Sequence, residues 1–308
     1  MQQRTFFDYF VITIKGIAMG AADVVPGVSG GTIAFIAGIY EELLASINKI
    51  NFHSLSILRK EGVGSFWKEI NGNFFVALLG GVGLSIFSLA KGITWLLEHH
   101  PILVWSFFFG LIVASVVFLA KDVQRWNLAT VFMFVIGAFV AYFITTLPPF
   151  QNSQSLWFLF FSGALAICAM ILPGISGAFI LVLLGAYNTI LEAIGSFDIK
   201  IIAVVGLGAV IGLLSFSRML KWMFEHYKDI TIALLTGFVL GSLNKIWPWK
   251  RIVSTYLDSK GNEKPFLETN VLPTVYDGNP QLWQAILLML AGFLVVFLLE
   301  KVAVSIKK

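Results

Sequence analysis

Two stretches of this chain hold residue types able to bind a charged group where water is scarce: VPGVSGG at 25–31 and LPGISGA at 172–178. Proline lacks the N–H that would continue a helix, and glycine reaches backbone conformations that other residues resist, so Pro26, Gly27, Pro173 and Gly174 predict helix breaks. Ser29 and Ser176 then stand where N-caps of the following helices are expected. A helix start carries unpaired N–H groups and roughly half a positive elementary charge, which suits an anion. Gly30, Gly31 and Gly177 leave room for ligand oxygens to approach the backbone. The competing reading is that such breaks kink helices and allow close packing, as expected of Gly16/Gly20, Gly208/Gly212 and Gly237/Gly241.

Charges in apolar surroundings come next. Asp23 lies three residues before Pro26, and an ionised carboxylate at the centre of a membrane helix costs at least ~2.5–3.5 kcal/mol unless paired or protonated. Its readings are proton coupling, a salt bridge to Lys15 or Arg218, or a solvated loop acid. Lys91 and Arg218 are each followed four residues later by a tryptophan, Trp95 or Trp222. They could snorkel to opposite interfaces or guide a phosphate from either side, Arg218 better than Lys91 because its fork matches phosphate geometry. The phenols of Tyr40 and Tyr187 could add hydrogen bonds to such a group or serve packing. No His, Asp or Glu set has metal-ligand spacing. No cluster of Arg, Ser and His could form and resolve a phosphoryl intermediate, so neither a metal, a cofactor nor an enzyme activity is expected.

The elements that must position these residues are membrane helices. Apolar residues are 58% and charged residues 12% of the 308, with a mean hydropathy of +0.87, outside the soluble globular range. The runs 73–97, 102–120, 128–147, 200–224, 229–244 and 282–300 approach the length needed to cross ~30 Å of hydrocarbon. They lack the alternation of barrel strands. The single cysteine, Cys168, excludes an internal disulfide. Although the pI is near 9.1, the basic residues sit at helix ends and form no nucleic-acid stripe.

The chain is also duplicated. Residues 25–47 align without gaps on 172–194, with Pro26/Pro173, Gly27/Gly174, Ser29/Ser176, Gly30/Gly177, Ile33/Ile180, Gly38/Gly185, Tyr40/Tyr187, Leu44/Leu191 and Ile47/Ile194 identical. At a second offset Lys91, Trp95, Glu98 and His99 pair with Arg218, Trp222, Glu225 and His226. Asp23 pairs with Met170, so the two breaks are not equivalent. The expected fold is an all-α polytopic membrane protein: a single transporter domain, 1–308, of two repeats, 1–152 and 153–308. Each repeat holds a PGxSG-broken helical hairpin, re-entrant or fully crossing, plus three transmembrane helices. An odd number of crossings per repeat makes the repeats inverted, as in many secondary transporters. With the N-terminus cytoplasmic, 14 Lys and Arg fall on that side, six on the other, and Lys91 within the membrane, which puts both termini in the cytoplasm. The loop 245–281 is expected to be a solvated connector, with WPWKR at 247–251 as an interface anchor.

KGIAMGAADVVPGVSGGTIAFIAGIYEELLASI, residues 15–47, strongly resembles the signature of the bacterial polyprenyl-phosphate (undecaprenyl phosphate) translocase family, formerly a membrane family of unknown function. PGISGAFILVLLGAYN, GLIVAS and GFVLGS also match, so the resemblance covers almost the whole chain. It implies a flippase of the bacterial cytoplasmic membrane that binds the phosphate of a lipid carrier while the prenyl tail stays in the bilayer. By matching positions, Asp23, Pro26, Gly27, Ser29, Gly30, Gly31 and Thr32 carry over from the first motif, and Pro173, Gly174, Ser176 and Gly177 from the second. The second motif has SGAF in place of SGGT, so the two motifs do not match symmetrically. The alternative is a transporter or channel for small soluble anions, using the same opposed helix starts.

Overall fold

The computed structural model describes residues 4–25, 28–148, 155–257 and 263–306. Pro26 and Gly27 of the first break lie outside them. The first half runs α1 (Phe6–Val24), α2 (Gly30–Ile36), α3 (Tyr40–Asn48), α4 (Phe52–Glu61), α5 (Val63–Glu69), α6 (Gly72–His99), α7 (Pro101–Asp122) and α8 (Leu128–Thr146). The second runs α9 (Leu156–Ile171), α10 (Gly177–Leu183), α11 (Tyr187–Gly195), α12 (Ile199–His226), α13 (Lys228–Ser242), β1 (Lys250–Leu257), β2 (Glu263–Asn270) and α14 (Leu282–Ile306). Helices α4 and α5 fill the segment the second half lacks, which explains the change of offset between the repeats.

The helix ends follow local chemistry. Thr5 and Asp8 form a capping box at α1, Asn127 and Thr130 another at α8, and Asp198 caps α12 through the N–H groups of Lys200 and Ile201. Pro101 begins α7, where its missing N–H is no loss. Helices α6, α7, α8 and α12 are each long and apolar enough to cross a bilayer, and the chain is a multi-pass membrane protein. All six apolar runs foreseen in the sequence are helical; at 15 residues α13 is the shortest of them.

Two further segments are bent. Helix α2 meets α3 at 112°, and α10 meets α11 at 109°. The turns are made at Gly38 and Gly185, with φ of 68° and 71°, a left-handed conformation that favours glycine. The second arm of each broken hairpin is therefore a short helix folded back on another.

Helix α1 packs on α6, α9 on α12, α7 on α14 and α8 on α13. Small residues set these contacts: a Cβ at Gly16 would strike the Leu78 carbonyl, one at Gly208 the Phe160 carbonyl, and one at Gly237 the Phe134 carbonyl. The close-packing role expected of Gly16/Gly20, Gly208/Gly212 and Gly237/Gly241 is present. A core of Tyr40, Leu44, Phe74, Leu78, Leu220, Phe224 and Leu235 joins α3, α6, α12 and α13.

The all-α expectation needs one correction. Strands β1 and β2 pair antiparallel from Lys250↔Asn270 to Leu257↔Glu263, so 245–281 is no mere connector. Trp249 is buried and donates to the Pro280 carbonyl at 2.9 Å, while Trp247 donates to Val271 at 2.8 Å. The WPWKR tryptophans thus fasten the segment that follows the hairpin, at Val271 and Pro280, to the chain that precedes it.

Candidate functional site

The two breaks meet. At the first, α1 ends at Val25, whose N–H returns to Ala22, and Ser29 caps α2 by accepting the Gly31 N–H at 3.1 Å. Asp23, in the last turn of α1, accepts the Gly30 N–H through Oδ1 at 2.7 Å. The Thr32 N–H is taken by the Ser29 carbonyl at 2.9 Å. The N–H groups of Gly30, Gly31 and Thr32 are thereby all engaged, and the acceptor seated on this helix start is the chain's own Asp23.

The second break lies directly against this start. Gly174 donates its N–H to Thr32 Oγ1 at 2.8 Å, Tyr40 donates to the Ile171 carbonyl at 3.1 Å, and Ser29 Oγ lies 3.4 Å from the carbonyls of both Met170 and Leu172. Ser29, Thr32 and Tyr40 are all buried. Three hydroxyls of the first half therefore satisfy backbone left unpaired where α9 ends. A Cβ at Gly31 would stand 2.8 Å from the carbonyls of Met170 and Ile171, so this approach requires glycine.

The second start is more open. Ser176 stands at the N-cap position of α10 in extended conformation, as its match to Ser29 leads one to expect, but unlike Ser29 it makes no side-chain cap bond. It is half-buried, Gly177 is buried and Ala178 is exposed. Met170 replaces the acid: its Cβ lies 3.3 Å from where a Cβ on Gly177 would be. Lys245, just beyond α13, sits 4.9 Å over the ring of Phe179 in the first turn of α10. In the sequence Lys245 reads only as a loop charge; its place three residues after Ser242 of GFVLGS is the available signal.

The cations named from the sequence are not joined to the breaks. Lys91 and Arg218 lie on exposed faces of α6 and α12, and among the described residues neither forms a hydrogen bond or ion pair. Trp95 and Trp222, one turn on, are 52% and 50% exposed. Both cations thus face outward from the helix bundle, beside an exposed tryptophan. Lys15 donates to the Ala37 carbonyl at 2.7 Å, holding the far end of α2. Among the described residues Asp23's partner is the Gly30 N–H, in place of an ion pair with Lys15 or Arg218. The Tyr40 phenol, one of the two candidates for a hydrogen bond to phosphate, is committed to Ile171.

His99 and His226 each place Nδ1 2.9 Å from the carbonyl four residues earlier and stack on Trp95 and Trp222. Among the described residues no three His, Cys, Asp or Glu side chains converge as a metal site.

A family model described as undecaprenyl phosphate translocase-like matches residues 19–264, from just before Asp23 through both breaks and into β2. The chain belongs to this family. Among its relatives is a protein of Vibrio cholerae serotype O1 named polyprenyl-phosphate transporter, 47% identical over 300 residues, 96% of this chain and 97% of that one. A protein of the same name from Staphylococcus aureus is 35% identical over 253 residues, 76% of this chain and 85% of its own length. No solved structure matches. Membership of a translocase-like family agrees with the expectation of a transporter without enzyme chemistry.

Proposed function

We propose that the protein moves polyprenyl phosphate, in particular undecaprenyl phosphate, from the outer to the inner leaflet of the bacterial cytoplasmic membrane, recycling the carrier lipid for peptidoglycan and other envelope synthesis. Both relatives are named polyprenyl-phosphate transporter, and the match to each covers most of this chain. The observation that carries the reading is a carboxylate, Asp23, already seated 2.7 Å from the Gly30 N–H where two helix breaks meet. A phosphate monoester has the same need for donors, and crossing unaided would put its charge into hydrocarbon at prohibitive cost.

In this reading the head group approaches the junction at the half-buried Ser176, on the helix whose Phe179 carries Lys245, and competes with Asp23 for the Gly30 N–H. Protonation of Asp23 releases the Gly30 N–H and ties transport to the proton gradient. Lys91 and Arg218 hold the two ends of the protein at the interfaces.

The exchange of packing partners supports inverted repeats, 1–152 and 153–308, in one transporter domain. Under the repeat α1 and α6 become α9 and α12, while α7 and α14 become α13 and α8; each pair is packed. The basic bias then favours cytoplasmic termini.

The test is reconstitution. Undecaprenyl phosphate placed in the outer leaflet of proteoliposomes becomes inaccessible to added phosphatase faster than in protein-free vesicles if the reading holds. Equal inhibition by inorganic phosphate and by the lipid, without lipid movement, points to a soluble-anion transporter instead.

A further inference from the structure

A cavity of about 710 Å³ opens at the end of the molecule where α1 begins, bordered by α3, α5 and the start of α6. Its wall carries Arg4, Lys49 and Lys68 against one acid, Glu42. That acid is already neutralised: Arg4 grips both carboxylate oxygens at 2.6 and 2.7 Å, and Asn71 Nδ2 donates to it at 2.9 Å. Lys49 and Lys68 have no carboxylate partner among the described residues, so two of the three cations remain unopposed.

The amides around them are arranged as donors. Asn73 Oδ1 accepts the Trp67 indole N–H at 2.8 Å, which leaves the Asn73 NH₂ group to donate. Asn71 is held at φ 60°, a left-handed conformation uncommon for a residue with a side chain. Although it stands at the N-cap of α6, its side chain makes no cap bond and turns instead to Glu42 and to Ser46 Oγ at 3.2 Å. Strain of this kind collects at ligand sites.

The surroundings are apolar. Helices α4 and α5 expose Phe52, Leu55, Val63 and Trp67 beside the basic Arg59, Lys60 and Lys68, the composition of helices that lie in a membrane interface. A ligand with an anionic head and an apolar tail matches both parts.

We propose that this cavity is a second site for a phosphate monoester head group, held by Lys49, Lys68 and the Asn73 amide, with its tail leaving over α4 and α5. The proposal rests on the reading that the protein moves a lipid phosphate, and makes the cavity the place where the head group pauses on the Arg4 side before release.

The test uses the full chain in detergent, with Trp67 as reporter. The fluorescence change present in native protein and missing in Trp67→Phe is followed against farnesyl phosphate, inorganic phosphate and farnesol. Farnesyl phosphate should give a saturable change, weakened about tenfold or more in Lys49→Gln/Lys68→Gln and largely restored in Lys49→Arg/Lys68→Arg; farnesol should give none. Affinity should also fall severalfold as salt is raised, a readout that needs no substitution. An equal response to inorganic phosphate supports the site and assigns it to the free ion. An equal response to farnesol, salt-independent binding, or unchanged affinity in the Gln variant overturns the proposal, and transport persisting in that case leaves the function standing. Binding retained in a protein that moves no lipid overturns the transport reading and keeps the site.

Discussion

Thr32 Oγ1 accepts the Gly174 N–H at 2.8 Å, a hydrogen bond between the two PGxSG breaks across 142 residues of chain. Both groups are buried. Removing the hydroxyl leaves an unsatisfied backbone donor, which costs about 1–3 kcal/mol. Thr32→Val should lower the thermal midpoint in detergent, and Thr32→Ser should restore most of it. Equal stability of the two variants would mean the bond does not join the halves.

Tyr40 makes the neighbouring link to Ile171, but its ring also packs on Phe35 and Phe224 at 5.2 and 5.9 Å. Tyr40→Phe keeps that packing but leaves the buried Ile171 carbonyl without this donor, so its effect should be about 1–3 kcal/mol. Tyr40→Ala should cost about 3–5 kcal/mol, as for other buried rings. Denaturation followed by tryptophan fluorescence separates the two.

Gly31 and Gly38 make a second contrast. A methyl group at Gly31 meets the Met170 and Ile171 carbonyls at 2.8 Å, whereas one at Gly38 meets nothing within 4 Å but sits at φ 68°. Gly31→Ala should separate the breaks and abolish transport. Gly38→Ala should cost about 1–2 kcal/mol of backbone strain and retain transport at a temperature where the protein stays folded.

Much of this arrangement is legible in the sequence, and the remainder is hidden for physical reasons. The apolar runs appear as α6, α7, α8, α12, α13 and α14 because span-length hydrophobicity needs no knowledge of neighbours. The breaks are legible because Pro and Gly act locally. The Thr32–Gly174 and Tyr40–Ile171 bonds are not, since nothing local tells a hydroxyl which backbone 130 or more residues away is left unpaired. Lys91 and Arg218 read from sequence either as interface cations or as guides for a phosphate, because helices apolar on nearly every side do not reveal which face turns outward. The β1–β2 hairpin escapes notice because its alternation is interrupted by charged and turn residues.

Lys250 predicts a pH dependence. It lies 4.2 Å over the Trp105 ring and 3.5 Å from Glu268, fastening the hairpin to α7, and burial pushes its pKa from 10.5 down to about 8. Between those values the folded protein binds fewer protons than the unfolded chain, so this group's contribution to stability rises as pH increases from about 8 to 10.5. Lys250→Met should flatten that rise in the thermal midpoint. An unchanged slope would contradict it.

Asp23 separates charge from shape. Asp23→Asn retains an acceptor for Gly30 but has no proton to exchange, so transport should lose its dependence on the proton gradient; unchanged transport with unchanged pH dependence rules out coupling through this residue.

The most direct measurement compares inward movement of undecaprenyl phosphate in proteoliposomes by native protein, by Ser29→Ala/Ser176→Ala and by Lys91→Ala/Arg218→Ala, with all three checked for folding and orientation. The account predicts movement by native protein, loss in the serine variant and retention in the variant of the exposed cations. Full transport by the serine variant, with loss in the Lys91 and Arg218 variant, would contradict a phosphate path through the meeting of the two breaks.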